Sequence, residues 1–220
     1  SGRMTRSLPP RVEAIFWLLL TATGYFLLAS LSLYATKGAD NIAAVWPPSG
    51  YFLALLLLMP ARWRIASFTG MAASSMAANM LGGTAFAMSA AFVLANGVEA
   101  AVALWLLRRR EPGELSFTAP RDVVRFCGAA LAASFVGAGI ATLFAGTGFD
   151  FFLSWLTTVA LGILIVTPPI VMLARLIVSN AFSNAPAGMK TEATAILTGA
   201  AAITAICFSQ SQFPVNFLPY

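Results

Sequence analysis

Long apolar stretches separated by short polar segments dominate the chain from Val12 onward. Most contain about 20 residues, which lets a helix cross a hydrocarbon layer of about 30 Å. The pattern predicts seven membrane-spanning helices, at residues 12–34, 42–59, 65–81, 85–107, 120–145, 151–177 and 193–208. We therefore expect an all-α, polytopic integral membrane bundle that forms one domain over residues 12–220.

Proline and glycine mark the ends and interruptions of these spans. Two consecutive prolines, Pro47 and Pro48, remove backbone donors and push the preceding residues towards extended geometry. The sequence thus predicts a bent entry to the second span and a regular helix from about Ser49. Pro168 and Pro169 predict a kink in the sixth span, and they are candidates for a hinge.

The charged residues give this bundle a direction. Only 10% of the residues are charged, against about 25% in a soluble domain. If the spans alternate, 12 of the 13 Lys and Arg residues lie on the side of the N-terminus, and only Lys37 lies on the other. The positive-inside rule then places residues 1–11 in the cytoplasm and Tyr220 outside. Ser1-Gly2-Arg3 is interpreted as a cloning remnant. The outward ending predicts either an eighth span after Tyr220 or a chain that ends outside, and the first is favoured.

Histidine is absent from all 220 residues, which removes several kinds of site. A Ser-His-Asp triad, a His-ligated zinc ion and a His-ligated haem all require this residue. We therefore expect no catalytic residue, no metal ligand and no cofactor. The basic residues are dispersed over several loops, so we expect contact with the lipid bilayer and no binding of nucleic acid.

Glu99 is the one carboxylate placed deep in a predicted span. It precedes Arg108 by nine residues, or about 13 Å along a helix. An ionised acid at that depth costs several kcal/mol, so Glu99 is expected to be neutral, paired or facing water. Asn96 lies on the same helical face, and Asn79 is a polar residue of the third span. Glu99 and Asn96 either fix the register of neighbouring helices, form a ligand- or proton-sensing site, or face water without a function.

The interrupted start of the second span also allows two interpretations. Trp46 is either an aromatic-belt residue beside a bent helix entry, or it borders a cavity lined by unpaired backbone groups. In the second case the amides of a new helix, capped by Ser49, would face that cavity. We expect the candidate ligand-binding residues to lie at or near one cavity that is open to the outer face. They are Trp46, Pro47, Pro48, Ser49, Asn79, Asn96, Glu99 and Trp155.

The order of these motifs resembles the first membrane-associated sensor (MASE) family of bacteria. The resemblance covers residues 12–220, and it rests on Val45-Trp46-Pro47-Pro48-Ser49-Gly50, Asn79 before Gly82-Gly83, Asn96-Gly97-Val98-Glu99, Arg121-Asp122-Val123-Val124-Arg125-Phe126 and Leu161-Gly162-Ile163-Leu164-Ile165-Val166-Thr167-Pro168. Many members carry a Gly-Asp pair before the Leu-Gly of the sixth span, where this chain has Thr158 and Val159.

This resemblance implies an eight-span sensory input module of the bacterial inner membrane, without catalytic activity of its own. Its signal would be a small molecule or a membrane protein at the periplasmic side or within the membrane. The output domain would be a histidine kinase, a diguanylate cyclase or a cyclic-di-GMP phosphodiesterase, and such outputs imply a homodimer. Two alternatives remain: a small transporter or channel with Glu99 and the broken helices in its solute path, and a docking module for a partner membrane protein.

Reporter fusions test the predicted orientation. A reporter fused after Arg110 should be active in the cytoplasm, and one fused after Gly146 should be active outside, because the positive-inside rule sets both positions. Paired alkaline phosphatase and fluorescent-protein fusions at each position measure this. The reverse pattern would overturn the assignment of sides.

Overall fold

A computed structural model describes residues 9–36, 45–109, 115 and 117–179, together with the single residues 188, 191 and 198. All regular structure within these residues is helical, which confirms the predicted all-α class. The helices are α1 (Pro10–Thr36), α2 (Pro47–Leu58), α3 (Arg64–Leu81), α4 (Phe86–Arg109), α5 (Pro120–Ala145) and α6 (Phe149–Val178), with a 3-10 turn at Ala61–Trp63. The predicted span at 193–208 lies outside the described residues except for position 198.

Four of the helices, α1, α4, α5 and α6, are long and apolar enough to cross a membrane. Helix α2 has 12 residues, so it extends only about 18 Å. Helix α3 has 18 residues, but its arginine, asparagine, serine and glycine residues lower its mean hydropathy. The described residues therefore support a multi-pass membrane protein with four candidate spans and two shorter or more polar helices, and the count of seven spans stays a prediction.

Helix α2 begins at Pro47, two residues earlier than the sequence predicted. Proline fits the first turn because the backbone N–H groups there have no partner within the helix. Trp46 takes the N-cap position without a capping side-chain bond, so the expected cap by Ser49 is wrong. Ser49 instead lies inside the first turn, where its side chain is buried.

Pro168 and Pro169 do not end the sixth helix, because α6 remains helical from Phe149 to Val178. Each proline removes one backbone donor from the helix. Membrane helices tolerate such a loss where neighbouring groups satisfy the freed backbone. The proposed hinge at these prolines stays a prediction.

Two compact units, residues 1–172 and 173–220, divide the chain. In the first unit α1 packs along α3, and α4 packs along α5, while α3 also contacts α4 and α2 contacts both α1 and α4. The hydroxyl of Ser74 on α3 donates a 2.8 Å hydrogen bond to the carbonyl oxygen of Ala22 on α1. The phenol of Tyr51 on α2 donates a 2.7 Å bond to the carbonyl of Leu20.

Helices α2 and α6 are in close backbone contact, because a glycine of each helix lies where they meet. A β-carbon on Gly50 would collide with the backbone carbonyl of Gly162, and one on Gly162 would collide with the carbonyl of Trp46. Two hydrogen bonds flank this contact: the backbone N–H of Trp46 donates to the oxygen of Thr158 at 3.1 Å, and the hydroxyl of Thr167 donates to the oxygen of Gly50 at 2.9 Å. Together they attach the start of α2 to the middle of α6.

Basic side chains gather at one end of the first unit. Arg62 pairs with Glu13 at 2.6 Å, which places the start of α1 beside the turn before α3. Arg108 donates a 3.1 Å bond to the carbonyl of Leu57, and Arg125 donates one of 2.5 Å to that of Leu107. The starts of α1, α3 and α5 thus share one end with the C-terminal ends of α2 and α4, as alternating helices require.

Replacing Gly50 by alanine should lower the free energy of unfolding by about 1–3 kcal/mol, the usual cost of overpacking. The added methyl group would meet backbone atoms of Gly162, which cannot move aside as a flexible side chain can. Gly128→Ala is the matched control, because a β-carbon there meets nothing within 4 Å; it should be neutral or stabilising by up to about 1 kcal/mol. Unfolding of both variants in one detergent measures the difference, and equal stability would contradict the close contact.

Candidate ligand site

Tyr25, Trp46 and Ser75 bring three helical segments together in the interior of the first unit. The hydroxyl of Tyr25 on α1 faces the Trp46 indole at the start of α2 and the Ser75 hydroxyl on α3. Tyr25 is 1% exposed and Trp46 7%. Neither the hydroxyl of Tyr25 nor Nε1 of Trp46 reaches hydrogen-bond geometry with a described group. These polar atoms are therefore close together but not bonded.

Glu99 joins the same region from α4. Its carboxyl group is 1% exposed, faces the hydroxyl of Ser49 on α2, and lies within electrostatic reach of the Tyr25 hydroxyl. Neither carboxyl oxygen meets hydrogen-bond geometry, and no basic side chain of the described residues pairs with it. A β-carbon on Gly137 of α5 would lie 2.8 Å from Oε2, so glycine leaves the room that the carboxyl group occupies.

The two predicted asparagines differ in their bonding. Asn79 donates a 2.8 Å hydrogen bond to the carbonyl oxygen of Ser75, one turn earlier on α3. Asn96 lies one turn before Glu99, is 3% exposed, and has no hydrogen-bond partner for either atom of its amide among the described residues. Asn79 thus belongs to the packing of α3, whereas Asn96 adds two more unbonded polar atoms. We call Tyr25, Trp46, Ser49, Ser75, Asn96 and Glu99 the Glu99 cluster.

Trp155 connects to this region through aromatic packing. The centroid of its ring lies 4.8 Å from that of Phe92, which precedes Asn96 by one turn on α4. Nε1 of Trp155 is also buried without a partner in the described structure. Thr158, one turn further along α6, accepts the backbone bond from Trp46.

The structure corrects two features of the predicted site. The predicted polar residues are buried rather than arranged around an open cavity, with exposed fractions between 1% and 7%. Pro47 and Pro48 occupy the first two positions of α2, so the expected row of helix N-terminal amides is missing two of its donors. Side chains, and not the helix terminus, therefore supply the polar groups of this site.

The Glu99 cluster is energetically unusual because so many of its polar atoms lack partners. More than nine-tenths of buried backbone groups, and most buried side-chain polar atoms, are normally hydrogen-bonded. Each unsatisfied group costs about 1–3 kcal/mol. Here seven side-chain atoms share this state, namely Tyr25 Oη, Trp46 Nε1, Ser49 Oγ, Asn96 Oδ1 and Nδ2, and Glu99 Oε1 and Oε2. Such a concentration is typical of a place where a bound polar group completes the bonding.

The donor set indicates hydrogen bonding rather than metal coordination. Within the described residues no group of three His, Cys, Asp or Glu side chains converges. Indole and hydroxyl donors stand beside carboxyl and amide acceptors, so a polar ligand could both donate and accept bonds. The buried rings of Tyr25 and Trp46 would limit its size and exclude bulk water. The ligand-binding role of the predicted residues stays a prediction.

The candidate site residues chosen from the sequence did not include Tyr25, Ser75 or Thr158. Tyr25 lies in the middle of α1. The available signal was a tyrosine in the middle of an apolar span, because a tyrosine hydroxyl that is buried there usually needs a hydrogen-bond partner. Ser75 and Thr158 carried no comparable signal. Small hydroxyl residues are common in packed membrane helices, and only the fold shows which of them face a site.

The regular structure of the described residues is entirely helical, and four of the helices are long and apolar enough to cross a membrane, which defines a multi-pass membrane domain. The sequence model of one family, MASE1, matches residues 17–219. The chain therefore belongs to the MASE1 family, whose members are membrane sensor input domains and not catalytic domains. No curated protein and no solved structure matches the chain.

Removing the Glu99 carboxyl should not destabilise the protein. Glu99→Leu should leave the free energy of unfolding unchanged or raise it, because it removes a costly unpaired buried polar group. The nearly isosteric Glu99→Gln keeps a polar group at this position and should leave the free energy about unchanged. Ser74→Ala is the contrasting variant, since it deletes a formed interhelical bond worth about 0.6 kcal/mol. Thermal unfolding in detergent compares all three. A loss above about 2 kcal/mol in Glu99→Gln would show that the carboxyl is ionised and paired.

Proposed function

We propose that this chain is a sensory input domain that passes a periplasmic or membrane signal to a cytoplasmic output domain outside these 220 residues. The output would be a histidine kinase or an enzyme of cyclic-di-GMP metabolism. One observation carries the proposal: the Glu99 cluster holds seven buried polar atoms without partners among the described residues, in a family of membrane sensor domains. A group of this kind is costly for stability alone and useful for recognising a signal.

The cluster lies where a signal can act on several helices at once. Trp46 and Ser49 belong to the start of α2, Glu99 and Asn96 to α4, Tyr25 to α1 and Ser75 to α3. A polar ligand, or a proton, that bonds to groups of α2 and α4 would change the preferred spacing of these helices. The change in output can be no larger than the difference in binding free energy between the two helix arrangements.

The arrangement of the protein in the cell follows from the charge pattern and the family. We propose the bacterial inner membrane, with the N-terminus and the basic end of the bundle in the cytoplasm. The basic end contains the C-terminal end of α4 and the starts of α3 and α5. Helix movements that begin at the Glu99 cluster would thus reach the side where an output domain works. A homodimer is proposed because kinases and cyclases act as pairs.

Output measurements on the intact protein test the proposal. Glu99→Gln and Asn96→Leu should change the basal output, kinase autophosphorylation or cyclic-di-GMP turnover, by on the order of threefold to tenfold, which corresponds to about 1 kcal/mol of conformational bias. Membranes containing equal amounts of each full-length variant are the material for the assay. Output equal to that of the unmodified protein in both variants would contradict a signalling role for the cluster.

Two controls distinguish a signalling role of the cluster from a nonspecific effect of substitution and from solute transport. Ile65→Ala alters a side chain that is 82% exposed and lies outside the cluster, so it should leave output unchanged. Proton-coupled uptake of solutes into vesicles that contain only these 220 residues, lost in Glu99→Gln, would identify a transporter instead.

A further inference from the structure

A second site lies at the basic end, in a cleft between the start of α3 and the end of α4. Its volume is about 400 Å³, within the range of ligand pockets. Arginine side chains and apolar side chains line it together: Arg64, Arg108 and Arg109, with Phe68, Leu104 and Trp105. None of these residues belongs to the Glu99 cluster, so the cleft is independent of the function proposed above.

Arg64, which lines the cleft, has donors without partners. Its Nε and Nη2 atoms are buried, and neither has a hydrogen-bond partner among the described residues. Arg108 lies near enough for the two positive charges to repel each other, and it donates a hydrogen bond to the carbonyl of Leu57. Two neighbouring guanidinium groups favour an anion between them, because arginine matches the geometry of phosphate oxygens.

No acidic side chain of the described part of the chain neutralises the cleft. Glu13 is paired with Arg62 at 2.6 Å, and Asp122 with Arg125 at 3.5 Å. Neither acid lines the cleft. The first residue of α3 is Arg64, so the positive end of that helix dipole adds to the attraction for an anion.

The remaining wall of the cleft is apolar and continues onto the outside of the bundle. Phe68 and Leu104 form this wall, and Trp105 is 53% exposed beside them. The guanidinium of Arg109 stacks on the Trp105 ring, 4.6 Å from its centroid. Tryptophan and arginine in this arrangement are typical of the boundary between lipid headgroups and acyl chains. A free inorganic anion would gain nothing from the apolar wall, whereas a lipid would cover it.

We propose that this cleft binds the phosphate group of an anionic phospholipid, held by Arg64 and Arg108, with an acyl chain along Phe68 and Trp105. The lipid would connect α3 to α4 at the basic end of the bundle. Its negative charge would also lie between two positive charges that otherwise repel each other.

Lipid binding by the purified 220-residue chain tests the site. Native mass spectrometry in a neutral detergent, with added phosphatidylglycerol or phosphatidylcholine, should show retention of phosphatidylglycerol in preference to phosphatidylcholine. Arg64→Gln and Arg108→Gln should each reduce the retention of phosphatidylglycerol about tenfold, as expected for the loss of one charge-assisted bond. Arg109→Gln, which changes an exposed side chain, should reduce it less and leave the fold intact.

Arg11→Gln is the matched control, because it removes one exposed arginine from the same end without touching the cleft. It should retain phosphatidylglycerol as the unmodified chain does. Equal losses in Arg11→Gln and Arg64→Gln would show a diffuse charge effect and overturn the site. Sodium phosphate provides the other arm: if it raises the unfolding temperature as much as phosphatidylglycerol does, and Arg64→Gln removes that rise, the site binds a free anion and the lipid assignment is wrong.

Discussion

Helices α2 and α6 meet backbone to backbone, because Gly50 faces Gly162 where the two helices cross. The bond from Trp46 to Thr158 holds the start of α2 on α6 at this crossing. Helix α2 is only 12 residues long and begins with two prolines, so few hydrogen bonds within it fix its start. The glycine contact specifies it instead, and it sets where Trp46 and Ser49 meet the polar side chains of α1, α3 and α4. The Glu99 cluster therefore depends on this contact.

Polar side chains inside the bundle serve two different purposes. Ser74, Asn79 and Thr167 each donate a bond of 2.8–2.9 Å to a backbone carbonyl, and they hold helices or turns in place. Tyr25, Ser49, Asn96 and Glu99 are equally buried and make no such bond within the described structure. Packing accounts for the first set. For the second set, unpaired groups lower stability, and the proposed recognition of a signal would compensate for this loss.

The two proposed sites lie in different parts of the same helices. Helix α4 carries Glu99 in its middle and Arg108 near its C-terminal end. Helix α3 runs the other way, with Arg64 at its start and Ser75 further along. Binding of a lipid phosphate at the basic end would hold α3 and α4 together at that end, while the Glu99 cluster lies further along both helices. Coupling between the sites would require that both bias the same helix arrangement, since coupling is a difference in free energy and not a matter of distance.

The sequence by itself determined the helical class, the approximate helix positions and the gathering of basic residues at one end. The helix positions follow from the lengths of the apolar stretches and from the glycines that end helices, such as Gly83 and Gly146 with their positive φ. The basic end follows because successive helices run in opposite directions. The sequence also identified Glu99 and Asn96 as polar groups in an apolar setting, and it named Trp46 and Ser49 among the candidate site residues. Only the tertiary structure decided that Ser49 faces Glu99, that Tyr25 and Ser75 complete the cluster, and that Asn79 bonds within its own helix. Those contacts depend on the rotation and depth of each helix, which small residues such as Gly50, Gly137 and Gly162 set through close packing that no single stretch of sequence encodes.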